Sequence, residues 1–152
     1  VSSAASDVYK RQVQVADADG KVSFTSIFPG CYSGRWPHIH FEVYPDVDSI
    51  TDSTNAIATS QLALPEDVCA TVYADSRYPG SSQNLAQTSL SSDNVFGDDS
   101  GALQLATVTG DAGSGYSASL VVGVDTTTTP SAGSAPSGGE GGPGGGGEPP
   151  SD

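Results

Sequence analysis

Apolar and polar residues alternate in several short runs along this chain. In "VQVADADGKVSF" (residues 13–24), Val13 and Val15 share one side, as do Val22 and Phe24. A period of two is the pattern of a strand with one buried face. Asp19-Gly20 between the runs supplies the residue types that a tight hairpin needs at positive φ. The run "FTSIF" extends the second strand until Pro29-Gly30 breaks it. "HIHFEVY" (38–44) alternates most clearly: His38, His40 and Glu42 fall on one face, Ile39, Phe41 and Val43 on the other. "AIATSQLAL" (56–64) predicts another strand, and "ALQLATVTG" with "GYSASLVVGV" predicts a closing hairpin across "DAGSG". "PEDVCATVYA" (65–74) reads as a short helix. Pro65 suits its first position, and Glu66 and Asp67 suit the positive end of its dipole. Residues 46–54 predict an acidic loop and residues 75–100 a long polar one. Short strands with Gly-rich turns predict an all-β fold, a β-sandwich with one short helix and a disordered C-terminal tail.

Composition agrees with strands. The chain is 36% hydrophobic over 152 residues, without Met, which suits one domain. Formal net charge is −13, with five Lys and Arg against 18 Asp and Glu. Nucleic acid and anionic membrane surfaces need a positive field and are poor partners for such a chain. No apolar run is long enough to span a membrane. "ADAD" (16–19) hints at calcium, but its spacing does not continue into an EF-hand loop, so a plain turn is expected.

The two ends differ from the middle. "DVYKRQ" (7–12) is what GATGTGTATAAGAGACAG encodes, a DNA end used in sequencing adaptors. Residues 1–12 therefore read as adaptor read-through or a disordered tail, outside a domain at 13–125. Residues 126–152 hold only Thr, Ser, Gly, Pro, Ala, Glu and Asp. They have nothing to bury against the entropy of ordering and read as a disordered Gly/Pro/Ser-rich tail.

The chemistry-bearing residues concentrate in "PGCYSGRWPHIHF" (29–41), which holds both His of the chain. Alternate strand residues lie about 6.6–6.8 Å apart, so His38 and His40 can lean onto one metal ion with bonds of about 2.1 Å. An incidental surface pair fits the spacing equally well. Gly34 and Pro37 can bend the connection so that Tyr32 returns over the His face; the alternative is a core or turn aromatic. Ionising a phenol at pH 7 costs about 4 kcal/mol, which a highly charged cation can supply. Phenolate is a hard donor and favours ferric iron over zinc. Arg35 either pairs with a surface acid such as Asp17 or Asp19, or points into the site to stabilise an anionic substrate. Trp36 reads as packing. "DNVFGDDSG" (93–101) could take a cation, but a solvated acidic loop is the plainer expectation.

These residues resemble a known family. "DADGKVSFTSIFPGCYSGRWPHIHFEVY" (17–44) is similar to the core of the intradiol ring-cleavage dioxygenases, the catechol and protocatechuate dioxygenase superfamily. More closely, it is similar to the small secreted members, in which a "PG-x-Y-x-G-R-x-x-H-I-H" run follows a "TD-x-x-G" hairpin. The resemblance is strongest over 13–44 and extends more weakly to about Val124. It implies a non-haem Fe(III) held by Tyr32, His38 and His40, with Arg35 as the active-site arginine and Gln61 lining the pocket. The implied substrates are a catechol-type aromatic diol and O2, and the implied product is a muconate-type diacid. The family's first Tyr ligand lies upstream of the matched hairpin, where Tyr9 has no matching context. "PGCY" also departs from the Trp more usual before that Tyr.

Two cysteines in an acidic Gly- and Ser-rich domain predict one disulfide, Cys31 to Cys69, in an oxidising compartment. An extracellular or periplasmic location is expected, with the signal peptide upstream of the matched region. Two rival functions stay open: a non-catalytic β-sandwich binding module, and a zinc- or copper-binding protein of the same fold.

Overall fold

The alternation in "HIHFEVY" becomes strand β1, His38–Val43, which pairs antiparallel with β2, Ala58–Ala63. Its register sets His38 opposite Ala63, His40 opposite Gln61 and Glu42 opposite Thr59. Residues opposite one another share a face, so β2 carries Gln61 to the histidine side. The computed structural model describes residues 12–130. The expected disordered ends fall largely outside that span, at 1–11 and 131–152. Where the C-terminal segment enters it, Asp125 closes an exposed turn by accepting from the Thr127 N–H at 2.8 Å.

Helix α1, Glu66–Tyr73, follows β2 directly. Pro65 stands at its N-cap, one position earlier than expected, with φ −62° and ψ 141°. The helix is short because its buried side is short: Cys69, Val72 and Tyr73 face the core. The segment 75–100 is less irregular than its polarity suggests. It forms α2, Ser81–Leu85, entered through Gly80 at φ 81°, and a 3₁₀ turn at Leu90–Ser92. The closing hairpin forms as β3, Thr107–Asp111, and β4, Gly115–Ser119. Asp111 Oδ1 holds its turn by accepting from the N–H groups of Gly113 and Ser114. The expected strand stops there; residues 120–124 are not in a strand, and Val121 is almost fully exposed.

The described residues thus form a β-rich fold of two small antiparallel sheets with short helices. One parallel bridge, Ala63 with Leu105, joins the first sheet to the approach to the second. The core lies between β2, α1, α2 and the 93–96 segment and contains Cys31, Trp36, Ala63, Leu64, Cys69, Val72, Tyr73, Leu85 and Phe96. Trp36 packs there as expected and donates its indole N–H to the Leu64 carbonyl at 2.8 Å.

Residues 13–24 depart from expectation. The turn forms, with Gly20 at φ 74° and its N–H on the Asp17 carbonyl at 2.9 Å, but its arms are not strands. Val13, Val15, Val22 and Phe24 all stay exposed. Among the described residues nothing covers their apolar side, so alternation brings no burial to offset the ordering of a ladder. The "ADAD" acid does turn duty: Asp17 Oδ1 accepts from the N–H groups of Asp19 and Lys21.

Cys31 and Cys69 are two free, buried thiols in the structure, where a bridge was expected. Both belong to the same core cluster. Burial pushes both upward, Cys69 to about 12, which keeps them protonated and poorly nucleophilic.

Candidate functional site

The site begins as an extended segment strapped onto the helices. Tyr78 donates its hydroxyl to the Phe28 carbonyl at 3.0 Å and Tyr73 donates to Pro29 at 2.8 Å. Ser81 Oγ accepts the Cys31 N–H at 3.1 Å, and Asn84 donates to the Cys31 carbonyl at 2.8 Å. Four polar side chains from 73–84 thereby fix residues 28–31. The chain then reverses at Tyr32–Arg35. Gly34 takes φ 82°, the left-handed value that a type II turn needs at its third residue. The Arg35 N–H reaches back toward the Tyr32 carbonyl at 3.5 Å.

That reversal brings Tyr32 over the start of β1. Its hydroxyl stands 3.5 Å from His38 Nε2, at the outer limit of a hydrogen bond, and the two rings meet edge-on. His38 Nδ1 lies 2.6 Å from the Trp36 carbonyl. A carbonyl only accepts, so Nδ1 carries the proton and Nε2 of the neutral ring presents its lone pair toward Tyr32. Burial pushes His38 below its ordinary value, against the opposing pull of the Trp36 carbonyl, and keeps it neutral. The imidazole is thus fixed by one nitrogen on a carbonyl, with the lone pair of the other held toward the Tyr32 oxygen.

His40 is placed differently. It shares the His38 face of β1, but its Nε2 lies 3.3 Å from Glu42 Oε1 and its side chain is half exposed. Glu42 also accepts from the Tyr44 hydroxyl, which holds the carboxyl below its ordinary value. Tyr32 and His38 thus come together as expected, while His40 turns to its neighbour on the strand. Among the described residues, no three His, Cys, Asp or Glu side chains gather as a metal cluster.

Arg35 is neither on the surface nor paired with Asp17 or Asp19. It is 8% exposed, and its Nε donates to Asp93 Oδ2 at 2.9 Å. Its Nη2 donates to Gln61 Oε1 at 2.6 Å and reaches Asp93 Oδ1 at 3.4 Å. Nη1 is directed at the Tyr32 hydroxyl, 3.5 Å away. Gln61, nearly fully buried, therefore touches the arginine.

Asp93 is the residue that the sequence hid. Expected in a solvated loop, it is 2% exposed. It also accepts the Trp36 N–H at 2.7 Å, Val95 at 2.8 Å and Phe96 at 3.2 Å. Burial pushes its carboxyl up, but the bonds from Arg35 and these backbone N–H groups outweigh burial and hold it below the ordinary value. Its one sequence signal is Val95-Phe96, two apolar residues inside an acidic run. Phe96 is fully buried and packs edge-on to His38 at 6.3 Å.

The assembled group sets His38 Nε2 and the buried Arg35 Nη1 on the oxygen of one exposed phenol. Tyr32 is 55% exposed. Two clefts lie elsewhere, one lined by Asp98, Asp99, Leu103 and Leu120, the other by α1 and the β3–β4 turn. Comparison of the chain with protein-family models, with curated proteins and with solved structures returned no match.

Proposed function

We propose that this chain carries the site of a non-haem ferric dioxygenase that cleaves a catechol-type ring between its two hydroxylated carbons. The observation that supports this most is the Tyr32–His38–Arg35 contact set, with the Tyr32 oxygen facing both the lone pair of His38 Nε2 and a guanidinium. Tyr32 and His38 fit a hard metal ion by donor type and by the proton fixed on His38 Nδ1. His40, on the same face, would complete three donors once released from Glu42. Fe(III), when bound, supplies Lewis acidity toward the diol and couples it to O2.

The protein's own groups have simpler parts. Arg35 Nη1 holds positive charge beside the Tyr32 oxygen and donates to oxygen developing charge on the ring. Gln61 and Asp93 lock the guanidinium plane, so the donor is preorganised. Both atoms of O2 enter the product as the ring bond breaks, giving a diacid, so the balance needs no added reductant. The two small sheets would be parts of the two layers of a β-sandwich, and the Cys31–Cys69 bridge would form on oxidation in an extracellular or periplasmic setting.

Titration with Fe(III) tests this. The expected result is a red-purple phenolate-to-iron absorption, followed by formation of a muconate-type diacid from catechol and O2. A folded protein that stays colourless and iron-free refutes it. The His40–Glu42 contact favours one alternative, a non-catalytic binding module of the same fold, for which catechol would bind without O2 uptake.

A further inference from the structure

The β3–β4 hairpin forks at its open end. Its register pairs Thr107 with Ser119. Carried on, that register would set Leu105 opposite Val121 and Leu103 opposite Gly123. The first arm leaves instead. The Gln104 and Leu105 N–H groups both turn back to the Gly101 carbonyl, at 2.9 Å each. The same arm is also held by β2: Ala63 donates to the Gln104 carbonyl at 2.8 Å and accepts from the Ala106 N–H at 2.9 Å. The second arm is left over. Among the described residues, no backbone group of 120–124 meets another backbone group. Its sequence, "LVVGV", is nevertheless rich in strand formers.

The fork is a cleft with apolar walls. Leu103, Leu120 and Val121 line it, with Leu103 82% and Val121 96% exposed. Asp98 and Asp99 stand in the same cleft. They accept from the neighbouring N–H groups of Asp99, Gly101 and Ala102, and among the described residues neither is in an ion pair. An extended peptide answers all three features at once. Its backbone meets the open ladder groups, its alternate side chains meet the apolar walls, and a basic side chain meets the acids. A small amine would leave the backbone groups to water. A second copy would bring like charges together, on a chain of net charge −13. We propose that the fork is a docking edge for an extended, cationic peptide segment of a partner protein, added as a strand beside 120–124. The edge works whether or not the Tyr32 site binds iron.

NMR titration of the full chain at low salt, followed at the backbone amides, tests this. The probe is an acetylated and amidated peptide alternating Val and Lys over about six residues, the length of a common strand. It should shift the amides of 120–123 and slow their exchange with solvent. Three changes should each weaken binding by about tenfold or more. The first is N-methylation of the probe backbone, which removes its ladder donors and keeps its charge. The second is Glu in place of Lys in the probe. The third is Val121→Lys, at an almost fully exposed side chain. No shift at 120–123 overturns the proposal. An N-methylated probe that binds as tightly also overturns it, since plain attraction to an acidic chain would then account for the binding. A Glu probe that binds as well as the Lys probe overturns the cationic partner. Shifts at 120–123 that follow the protein's own concentration, without any probe, give the edge to a second copy and overturn the peptide. Should Val121→Lys not fold, the two modified probes decide.

Discussion

Replacing Asp93 by Ala should damage the fold more than any other single polar change. The carboxylate accepts from Arg35 and from the N–H groups of Trp36 and Phe96 in the interior, and from that of the half-buried Val95. Deleting one partner of a buried ion pair typically costs about 3–5 kcal/mol, because the remaining charge is stranded. The Val95 and Phe96 donors add about 1 kcal/mol each, discounted where water enters. A total of about 5 kcal/mol would consume much of the roughly 5–15 kcal/mol available to a domain. It would lower Tm by about 20 °C. Urea unfolding followed by tryptophan fluorescence suits the assay, since Trp36 is the only Trp and sits buried beside Asp93. The double variant Asp93→Leu, Arg35→Met removes both charges. It should be more stable than Asp93→Ala by about 2–3 kcal/mol, the signature of direct coupling. A cost below about 1 kcal/mol for Asp93→Ala, or a double variant no more stable than Asp93→Ala, would refute the buried-pair account.

Three further outcomes follow from other features. Gly34→Ala should cost about 1–2 kcal/mol in the same urea assay, since φ is 82° and the added Cβ meets no neighbour; an unchanged midpoint would remove the turn from the account. Asp93 also makes stability pH-dependent. Unfolded, it takes a proton near 3.8, but folded it holds the proton off to lower pH, so stability is lost as pH falls from about 3.8 through the folded value. The difference between wild type and Asp93→Asn should shrink across that window, and a difference independent of pH would contradict it. Oxidising the Cys31–Cys69 pair should lower the intact mass by two hydrogens and add about 4 kcal/mol, the chain-entropy value for a loop of roughly 40 residues. Two thiols still free after oxidation with excess oxidised glutathione would end the bridge.

Legibility in the sequence tracked how local the cause was. β1, β2 and the β3–β4 hairpin could be read because alternation and turn residues lie within a few positions of each other. Helix α1 could be read from Pro65, Glu66 and Asp67 for the same reason. The run 13–24 alternates as well, but alternation states a demand for a covering face, and the described residues supply none. Asp93 failed in the opposite direction. Its partners Trp36 and Arg35 lie 57 and 58 positions away, and no window around an acidic loop can show that. The Tyr32 return over His38 was foreseeable from Gly34. The diversion of His40 to Glu42 was not, because two residues on one face of a strand can meet each other as readily as a shared ion.

One carboxylate ties the side chain of Arg35 and the backbone of Trp36 to the same anchor. Among diverged copies of this chain, Arg35 would then persist for structural reasons even where chemistry had lapsed, since losing it alone strands Asp93 in the core. Its survival tracks folding. Tyr32 and His40 owe the core nothing, so their drift or retention is what would separate working descendants from silent ones.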